Sequence, residues 1–566
     1  MDWVKIRTCF PAPDYFFMTN SISRRGLQLL LLAVVLIWFG NLEYRKLIRP
    51  DEGRYAEIPR EMVVSGDWTT PRLNDLKYFE KPPLQYWATA VAYEVFGEHQ
   101  WTSRIWTALT GFAGILLVWF AGTRLFGREA GIYAALLLGS SMLYAMMAHI
   151  NTLDMGVTFF ISMGIFSLLI AQTEDIQVKR RNWMLLAWAG LALAVLSKGL
   201  MGLILPGTAL FLYSVFNRDI TIWKRMHWFS GLLLFFLIAT PWFVLVIKAN
   251  PEFFDKFFIY EHYTRFTTKQ LGRYQPWYYF VPVLLFGMLP WTVLMFDTLV
   301  RTWRGSVQQI KAFSAERFLL VWAVFIYFFF SISGSKLPSY LLPMFPALAL
   351  LMGKQVAEMR STRLFWLILP SLVVIVILLG VVPFAAKQAA DTTLQMQMYS
   401  DYTVWVMIAA AIWLIGVGAG LWLLRREKKM AAVIVLALSS LVFSQLATSG
   451  YNAIARERSA YIVAEAIKPI IKPDVPFYSV LCYEQTLPFY LKRTFTLVDF
   501  QDEMDFGIKQ EPERWIASVE ILAQRWSTQA EAYAIVPTPL FYILQQQGMA
   551  TKVIYRDEQY IVVSKP

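Results

Sequence analysis

The chain has 566 residues, of which 57% are hydrophobic and only 16% are charged. A soluble chain would carry about 25% charged residues, so this composition excludes an ordinary soluble protein and indicates an integral membrane protein. The net charge of +12 does not indicate a nucleic-acid partner, because most Lys and Arg residues lie in short segments between apolar runs. The two cysteines, Cys9 and Cys482, are distant in sequence and fit neither a disulfide nor a zinc-thiolate site.

The first apolar run covers residues 26–42 and is longer than the core of a signal peptide. No small-residue cleavage site follows it, so it is interpreted as a retained signal anchor. Met18 precedes the pair Arg24 and Arg25, which makes Met18 a candidate translation start. An intact mass that includes residues 1–17 would refute this hypothesis.

Apolar windows of sufficient length predict about thirteen membrane spans. They lie at 26–43, 101–124, 129–148, 152–171, 183–197, 199–216, 228–248, 277–298, 316–333, 338–355, 364–385, 402–424 and 431–449. Alternate connections carry most of the basic residues: Arg24 and Arg25; Arg124 and Arg128; Lys179, Arg180 and Arg181; Arg218, Lys224 and Arg225; Arg301, Arg304 and Lys311; Arg360 and Arg363; Arg425, Arg426, Lys428 and Lys429. The other short connections hold little beyond Lys198, Lys336 and Lys387, and this asymmetry predicts a cytoplasmic N-terminus.

An odd number of spans places the tail on the outer side, together with two long charged segments at 44–100 and 249–276. We therefore expect the site of any chemistry on that face. The tail alternates short β-branched runs with helical stretches, which predicts a small α/β domain. The expected division is a membrane domain over residues 1–449, including both outer segments, and an α/β domain over 450–566.

The first outer segment begins with two adjacent carboxylates, Asp51 and Glu52. Asp51 is expected to cap a short helix, with Arg54 three residues further on and therefore close to it. At the other end, Glu80 and Lys81 precede two prolines, which disfavour helical backbone and hold Lys81 extended. A positioned ammonium beside aromatic residues suits a lipid phosphate. The alternative is an interfacial helix with solvated charges and a membrane-surface anchor.

Asp154 stands at the start of the fourth predicted span. A charged carboxylate costs about 2.5–3.5 kcal/mol at the centre of a membrane and usually marks a functional site. We expect Asp154 near the outer boundary, sharing a pocket with Asp51 that could hold an amino group, a sugar hydroxyl, a metal ion or a substrate proton. The alternative is an Asp that only caps its own helix.

Two further groups complete the candidate residues. The second outer segment contains Glu261, His262 and Arg265, in which the Glu–His pair is a weak metal signal and the guanidinium suits phosphate. A short outer turn contains Lys336, a serine and Tyr340, which either close over a pocket or form only a turn. The sequence has no phosphate-binding loop and no dinucleotide fingerprint, so no nucleotide cofactor is expected. An outward-facing enzyme of this kind would take a lipid-linked donor already in the membrane.

Several ordered blocks of this sequence resemble the bacterial aminoarabinose transferases (the ArnT family). They are RPDEGRYAEIPREMVVSGDW, PRLNDLKYFEKPPLQYW, EHYTRF, PWYYFVPVLLFGMLPW and SKLPSYLLP, spread over residues 26–355. The resemblance implies an all-α polytopic membrane protein of the GT-C glycosyltransferase type, related to protein O-mannosyltransferases, with a periplasmic α/β domain. It also implies an inverting pentosyltransferase of the bacterial inner membrane, with its active site and tail in the periplasm.

The implied reaction moves 4-amino-4-deoxy-L-arabinose from undecaprenyl phosphate to the phosphates of lipid A, which gives resistance to polymyxin. By resemblance Asp51 and Asp154 are the catalytic acids, while Arg54, Lys81, Arg265, Lys336 and Tyr340 hold the carrier phosphate or substrate. Glu80 and His262 would be the pair for a divalent metal ion, if one is bound. Because the acceptor phosphate is already anionic, the acids are expected to position the aminosugar rather than remove a proton.

Two other readings stay open at this point. One is a related GT-C transferase that uses another polyprenyl-phosphate sugar or a protein hydroxyl acceptor, in which case Asp51 would act as a base. The other is a lipid flippase, against which stand the lack of paired internal symmetry and the one-sided clustering of charges.

Overall fold

The computed structural model of the protein describes residues 24–264, 275–307 and 313–566, without the side chains of 262–264 and 306–307. The candidate start Met18 lies outside these residues. The membrane part contains these helices: α1 (Arg24–Phe39), α4 (Gln100–Phe126), α5 (Arg128–Ser140), α6 (Met142–Met147), α7 (Asp154–Thr173), α8 (Gln177–Lys198), α9 (Met201–Asn217), α10 (Thr221–Lys224), α11 (Trp228–Ala249), α12 (Phe280–Gly287), α13 (Thr292–Val307), α14 (Ala315–Ile332), α15 (Phe345–Glu358), α16 (Ser361–Gln388), α17 (Thr393–Arg425) and α18 (Lys429–Gly450).

Every window that the sequence marks as a span is largely helical. Among the described residues, however, only eight helices are long and apolar enough to cross a membrane, or nine if the bent pair formed by residues 277–287 and α13 counts as one span. The predicted number of about thirteen is therefore higher than the number of long apolar helices. Part of the difference has a physical cause, because α9 is short, α5 and α6 are separated by a break, and α8 carries basic residues in its first turn.

Two of the breaks in the membrane helices pack against each other. The chain bends by 111° between residues 277–287 and α13, and α5 ends at Ser140, where α6 follows after one residue. The indole of Trp291 donates to the Ser140 hydroxyl at 2.9 Å, and the Ser440 hydroxyl donates to the Ser140 carbonyl at 2.8 Å. These bonds supply partners that a broken helix cannot provide for itself in an apolar medium.

The first outer segment is mostly helical. It contains α2 (Asp51–Ser65), a two-stranded antiparallel hairpin of β1 (Arg72–Leu73) and β2 (Leu76–Lys77), and α3 (Leu84–Phe96). The hairpin turn places Asn74 and Asp75 at positive φ, 53° and 63°, a conformation that Asn and Asp tolerate well. A π-helix over Asp255–Thr264 begins the second outer segment, and a 3₁₀ helix over Pro338–Met344 forms the short turn before α15.

The tail folds around a six-stranded sheet in the order β5–β4–β3–β6–β8–β7. The strands are β3 (Phe477–Val480), β4 (Thr496–Val498), β5 (Trp515–Ile516), β6 (Tyr533–Pro537), β7 (Lys552–Arg556) and β8 (Tyr560–Ser564). The α-helices are α19 (Ala455–Arg458), α20 (Tyr461–Ile467), α21 (Leu487–Leu491), α22 (Asp505–Gln510), α23 (Val519–Thr528) and α24 (Phe541–Gln546). Strands β3 to β6 run parallel, whereas β8 pairs antiparallel with both β6 and β7. The structure confirms a polytopic helical membrane protein with an α/β tail, although the boundary at 449/450 stays a prediction.

One buried cluster of the tail is made of tail residues alone, but two other clusters are shared with the first outer segment. Leu47 and Ala56 of the first outer segment share one buried cluster with Phe477 and Val562 of the sheet. A second cluster joins Tyr55 of α2 to the tail strand β4. The first outer segment is thus packed between the membrane helices and the sheet, and this arrangement positions the candidate site.

Candidate active site

The first turn of α2 contacts several parts of the protein through successive residues. Pro50 occupies the N-cap position, and Asp51 is the first helical residue with no capping hydrogen bond, so the expectation that Asp51 caps this helix is wrong. Its carboxylate instead faces Arg54, with 3.5 Å between Oδ1 and the nearest guanidinium nitrogen, as the spacing predicts. The Asp51 side chain keeps 31% exposure, whereas that of Arg54 keeps 8%.

Glu52 points the other way, into the protein. Its carboxylate is fully buried and accepts six hydrogen bonds of 2.6–3.1 Å, from the guanidinium groups of Arg45 and Arg104 and from the backbone amides of Ile48 and Asn151. The alternative of solvated charges along this helix is therefore wrong. Burial alone would raise the pKa of Glu52, but the two arginines outweigh it and hold the pKa well below its ordinary value.

Asp154 is the first residue of α7 and is 8% exposed. It makes no capping hydrogen bond to its own helix, so the capping alternative is wrong. Its carboxylate forms an ion pair with the Lys198 ammonium at the end of α8. Burial would lower the pKa of Lys198, but Asp154 outweighs burial and raises it, with Tyr340 and Asp51 adding to the effect. Lys198 therefore lies within electrostatic reach of both acids.

Arg54 also forms an ion pair with Glu503, which belongs to the tail. Gln485 donates its amide to the other oxygen of Glu503 at 2.9 Å. Burial raises the pKa of Glu503, while Arg54 and the Gln485 hydrogen bond oppose the rise. The tail thus supplies a carboxylate to the same cluster as Asp51.

Tyrosines line this cluster. The Arg54 guanidinium lies 5.9 Å from the ring of Tyr55 and 5.7 Å from that of Tyr78, and Tyr86 packs 6.2 Å from Tyr55. In the described part of the chain the buried hydroxyls of Tyr78 and Tyr86 and the Arg54 Nε have no hydrogen-bond partner. Buried polar atoms are normally paired, so these groups are suited to the hydroxyl or amino groups of a ligand.

Comparison with known proteins supports a common architecture. The sequence-family model of the aminoarabinose transferase C-terminal domain matches residues 463–565. The family model of dolichyl-phosphate-mannose-protein mannosyltransferases matches residues 80–244. An undecaprenyl phosphate-alpha-4-amino-4-deoxy-L-arabinose arabinosyl transferase of Pseudomonas fluorescens is 32% identical over 60% of this chain and 58% of its own. The chain thus matches less than three fifths of that relative's length.

The crystal structure of ArnT from Cupriavidus metallidurans bound to undecaprenyl phosphate superposes with a TM-score of 0.90, at 34% identity, over 96% of this chain and 98% of that one. The chain belongs to the ArnT family of aminoarabinose transferases. An Archaeoglobus fulgidus oligosaccharyltransferase, at 12% identity and a TM-score of 0.51 over 91% of this chain and 70% of the other, shares the fold alone. This ArnT-family chain is a multi-span membrane protein, in agreement with an inner-membrane location.

The remaining predicted residues of this ArnT family member lie around the cluster with different partners. Lys81 donates to the Glu80 carbonyl at 3.0 Å, and the carboxylate of Glu80 lies within electrostatic reach of Arg54 and Tyr78. Lys336 is 4% exposed, and its ammonium donates to the carbonyls of Gln275, at 2.8 Å, and Ser333. The Tyr340 ring lies 4.9 Å from the Lys198 ammonium, so the short turn does border the Asp154 pair.

The predicted metal pair cannot be placed from the described residues. Arg265 and the side chain of His262 lie outside them, and Glu261 pairs with Lys256 at 3.2 Å. Within the described residues no group of three or more His, Cys, Asp or Glu side chains could hold a metal ion. A metal at Glu80 and His262 stays a prediction.

Sequence reasoning missed Lys198 and Glu503 as members of this site. Lys198 carries a signal that could have found it, since it is one of the few basic residues on the side where they are scarce. Glu503 carries no such signal, because it lies in an acidic stretch 449 residues after Arg54 and only the packing of the tail brings it there.

Proposed function

We propose that the protein transfers 4-amino-4-deoxy-L-arabinose from undecaprenyl phosphate to phosphate groups of lipid A, at the periplasmic face of the inner membrane. The observation that carries the proposal is a cluster of acidic and basic side chains, within a fold that matches ArnT bound to undecaprenyl phosphate over nearly its whole length. The cluster consists of Asp51, Arg54 and Glu503 together with the Asp154–Lys198 pair. The orientation rests on the asymmetry of basic residues between the two sides.

The transfer requires cations more than it requires a base. An oxygen of the acceptor phosphate forms a bond to the anomeric carbon of the sugar, and the bond from that carbon to the carrier phosphate breaks. The electron pair leaves with undecaprenyl phosphate, whose growing negative charge needs positive groups beside it. Arg54, Lys81, Lys198, Lys336 and Arg265 are the cations proposed for the two phosphates.

The acids have a different task. The aminosugar carries a positive charge at neutral pH, and its ring becomes electron-poor as the leaving bond breaks. Asp51, Asp154 and Glu503 supply negative charge for the amino group and for the electron-poor ring of the sugar. The unpaired hydroxyls of Tyr78 and Tyr86 offer hydrogen-bond partners to the sugar hydroxyls. A divalent metal at Glu80 and His262 would add positive charge beside the carrier phosphate.

Mass spectrometry of lipid A tests the proposal directly. We expect a mass shift of one aminoarabinose per modified phosphate when the gene is expressed in a host that makes the lipid-linked donor, and none with an empty vector. The outcome that refutes the proposal is unchanged lipid A in cells that contain normal amounts of the protein. Sugar found on a protein hydroxyl instead would support the related mannosyltransferase-like activity.

A further inference from the structure

The tail meets the first turn of α2 at a glycine. Gly53 is the third residue of that helix and has no need of a left-handed backbone, so conformational freedom does not explain it. A methyl group at this position would lie 2.6 Å from the Gln485 carbonyl carbon and oxygen and 2.8 Å from the Thr486 nitrogen. Glycine is less favourable than alanine in a helix interior, and the close approach of the tail backbone accounts for its presence.

The tail turn that contacts Gly53 is held in place by hydrogen bonds within the tail. The buried carboxylate of Glu484 accepts from the amide and the hydroxyl of Thr486, both at 2.9 Å. The Thr486 hydroxyl oxygen also accepts from the Ala460 amide at 2.8 Å. The main chain at Gln485 is therefore tied into the tail and cannot give way easily to an added methyl group.

The contact between Gly53 and the main chain of Gln485 is called the joint below. A closed ring of contacts connects it to the candidate site. Gly53 touches the main chain of Gln485, the Gln485 side chain donates to Glu503, and Glu503 pairs with Arg54, which follows Gly53 in the helix. Arg54 in turn faces Asp51. A shift of the tail turn relative to α2 must therefore move Glu503 relative to Arg54 and Asp51.

We propose that Gly53 and Gln485 are positioning residues, which set the distance between α2 and the tail and so orient Arg54 and Glu503 for the transfer. This inference rests on the proposed function. It gives the tail a role in the reaction, because the turn that follows β3 packs against α2, the helix that contains Asp51 and Arg54. Displacements of about 1 Å at a reacting centre cost on the order of 10²-fold in rate.

The first test compares three glycine-to-alanine variants of the full-length protein in detergent. Gly53→Ala should lower kcat per folded molecule at least about 30-fold, while the KM for the lipid-linked donor stays within about threefold. Gly353→Ala creates a matched backbone clash of 2.6 Å against Ala130 between two membrane helices, and Gly418→Ala meets nothing within 4 Å. The proposal is overturned if Gly53→Ala loses no more kcat than Gly353→Ala.

The second test removes only a side chain, so it does not depend on tolerance of a clash. Gln485→Ala takes away a hydrogen bond that lowers the pKa of Glu503, so the acid limb of the kcat profile should move to higher pH. Gln547→Ala is the matched control, because Gln547 donates to Glu520 at 3.0 Å on the tail surface. An unshifted profile for Gln485→Ala would contradict a positioning role.

Amide hydrogen exchange separates this inference from the proposed function. In Gly53→Ala, exchange should rise both in residues 51–56 and in residues 484–488, whereas Gly418→Ala should change neither. A rise confined to α2 would show that no joint exists. If the unaltered protein transfers no aminoarabinose while this paired rise is seen, the proposed function fails and the joint stands.

Discussion

Asp51 and Glu52 are neighbours in the first turn of one helix, yet they lie in opposite surroundings. Glu52 is fully buried and its carboxylate accepts six hydrogen bonds, including those from two arginines. Asp51 keeps 31% exposure and faces one guanidinium at 3.5 Å. A helix turns about 100° per residue, so adjacent side chains necessarily point to different parts of the protein.

The difference separates the residue that holds the site together from a residue that is available for chemistry. Glu52 joins α2 to the connection that follows α1, to α4 and to the turn before Asp154. Its partners there are Arg45, Ile48, Arg104 and Asn151. Its hydrogen-bonding capacity is used within the protein. Asp51 has capacity left for a substrate, which is what a residue that acts on a ligand requires.

The largest expected effect follows from Glu52→Gln. This change leaves two buried guanidinium groups without a compensating charge, and breaking a buried ion pair costs about 3–5 kcal/mol of the free energy of unfolding. We expect little folded protein in the membrane and a strongly lowered Tm in detergent. Glu94→Gln, at an exposed position of α3, is the control and should leave both quantities unchanged. A Glu52→Gln protein with normal membrane levels and a normal Tm would contradict the structural role of Glu52.

Asp51→Asn should have the reverse outcome. An ion pair that is partly exposed contributes about 0–1 kcal/mol, so the protein should reach the membrane in normal amounts with an almost unchanged Tm. Transfer to lipid A should fall on the order of 10²–10³-fold, the range seen when one electrostatic group is removed from a reaction site. Full activity in the lipid A mass assay would show that Asp51 has no catalytic role.

Asp154→Asn should alter the pH dependence as well as the rate. Without the carboxylate, burial lowers the pKa of Lys198, which Asp154 raises in the native protein. A raised lysine pKa stabilises the folded state at low pH, and this contribution is lost as pH rises through the folded value. The alkaline limb of the activity profile and of the Tm profile should therefore move to lower pH in the variant. If both limbs stay at the pH found for the native protein, the Asp154–Lys198 pair does not control them.

Glu61 sharpens the comparison with a smaller effect, because it is a buried carboxyl of the same helix with the opposite shift. It accepts from the amides of Asn74 at 2.5 Å and Asp75 at 2.8 Å, but burial and the nearby Glu57 raise its pKa. Its contribution to stability is present below the ordinary glutamate pKa and is lost as pH rises through the raised value. The lowered pKa of Glu52 acts in the other direction, so its contribution is lost only as pH falls.

Thermal unfolding at a series of pH values measures this difference. The Tm of the native protein should fall as pH rises above the ordinary glutamate range, and Glu61→Gln should flatten that fall because a neutral amide cannot ionise. Glu94→Gln again serves as the control. Equal pH slopes for the native protein and Glu61→Gln would mean that another group titrates.

Much of the architecture could be predicted from local patterns. Apolar length located the helices. In the tail, the short β-branched runs VPFYSVL, RTFTLVD, AYAIV and QYIVVS located β3, β4, β6 and β8. Strands β5 and β7 escaped, the first because it has two residues and the second because it is an edge strand with charged ends. The predicted thirteen spans exceed the helices that are long and apolar enough by themselves among the described residues, because a run of apolar residues does not reveal a break such as that at Ser141.

The candidate site divides in the same way. Asp51, Arg54 and Asp154 could be found because a charge beside or inside an apolar segment is costly and therefore conspicuous. Lys198 could have been included as a rare basic residue on the outer side, although nothing in the sequence pairs it with Asp154. Glu503 could not be assigned to the cluster, since ion pairs between distant segments leave no periodic trace in sequence. His262 and Arg265 stay predictions.

The sequence by itself determined that this is a membrane protein with its charges gathered in a few segments, because hydropathy and helical length act locally. Only the tertiary structure decided which of two adjacent carboxylates is sealed inside and which faces the cluster. It also decided that a tail more than 400 residues away contributes Glu503 and presses on Gly53. Those outcomes depend on how the membrane helices and the sheet pack around α2, and no local pattern specifies that packing.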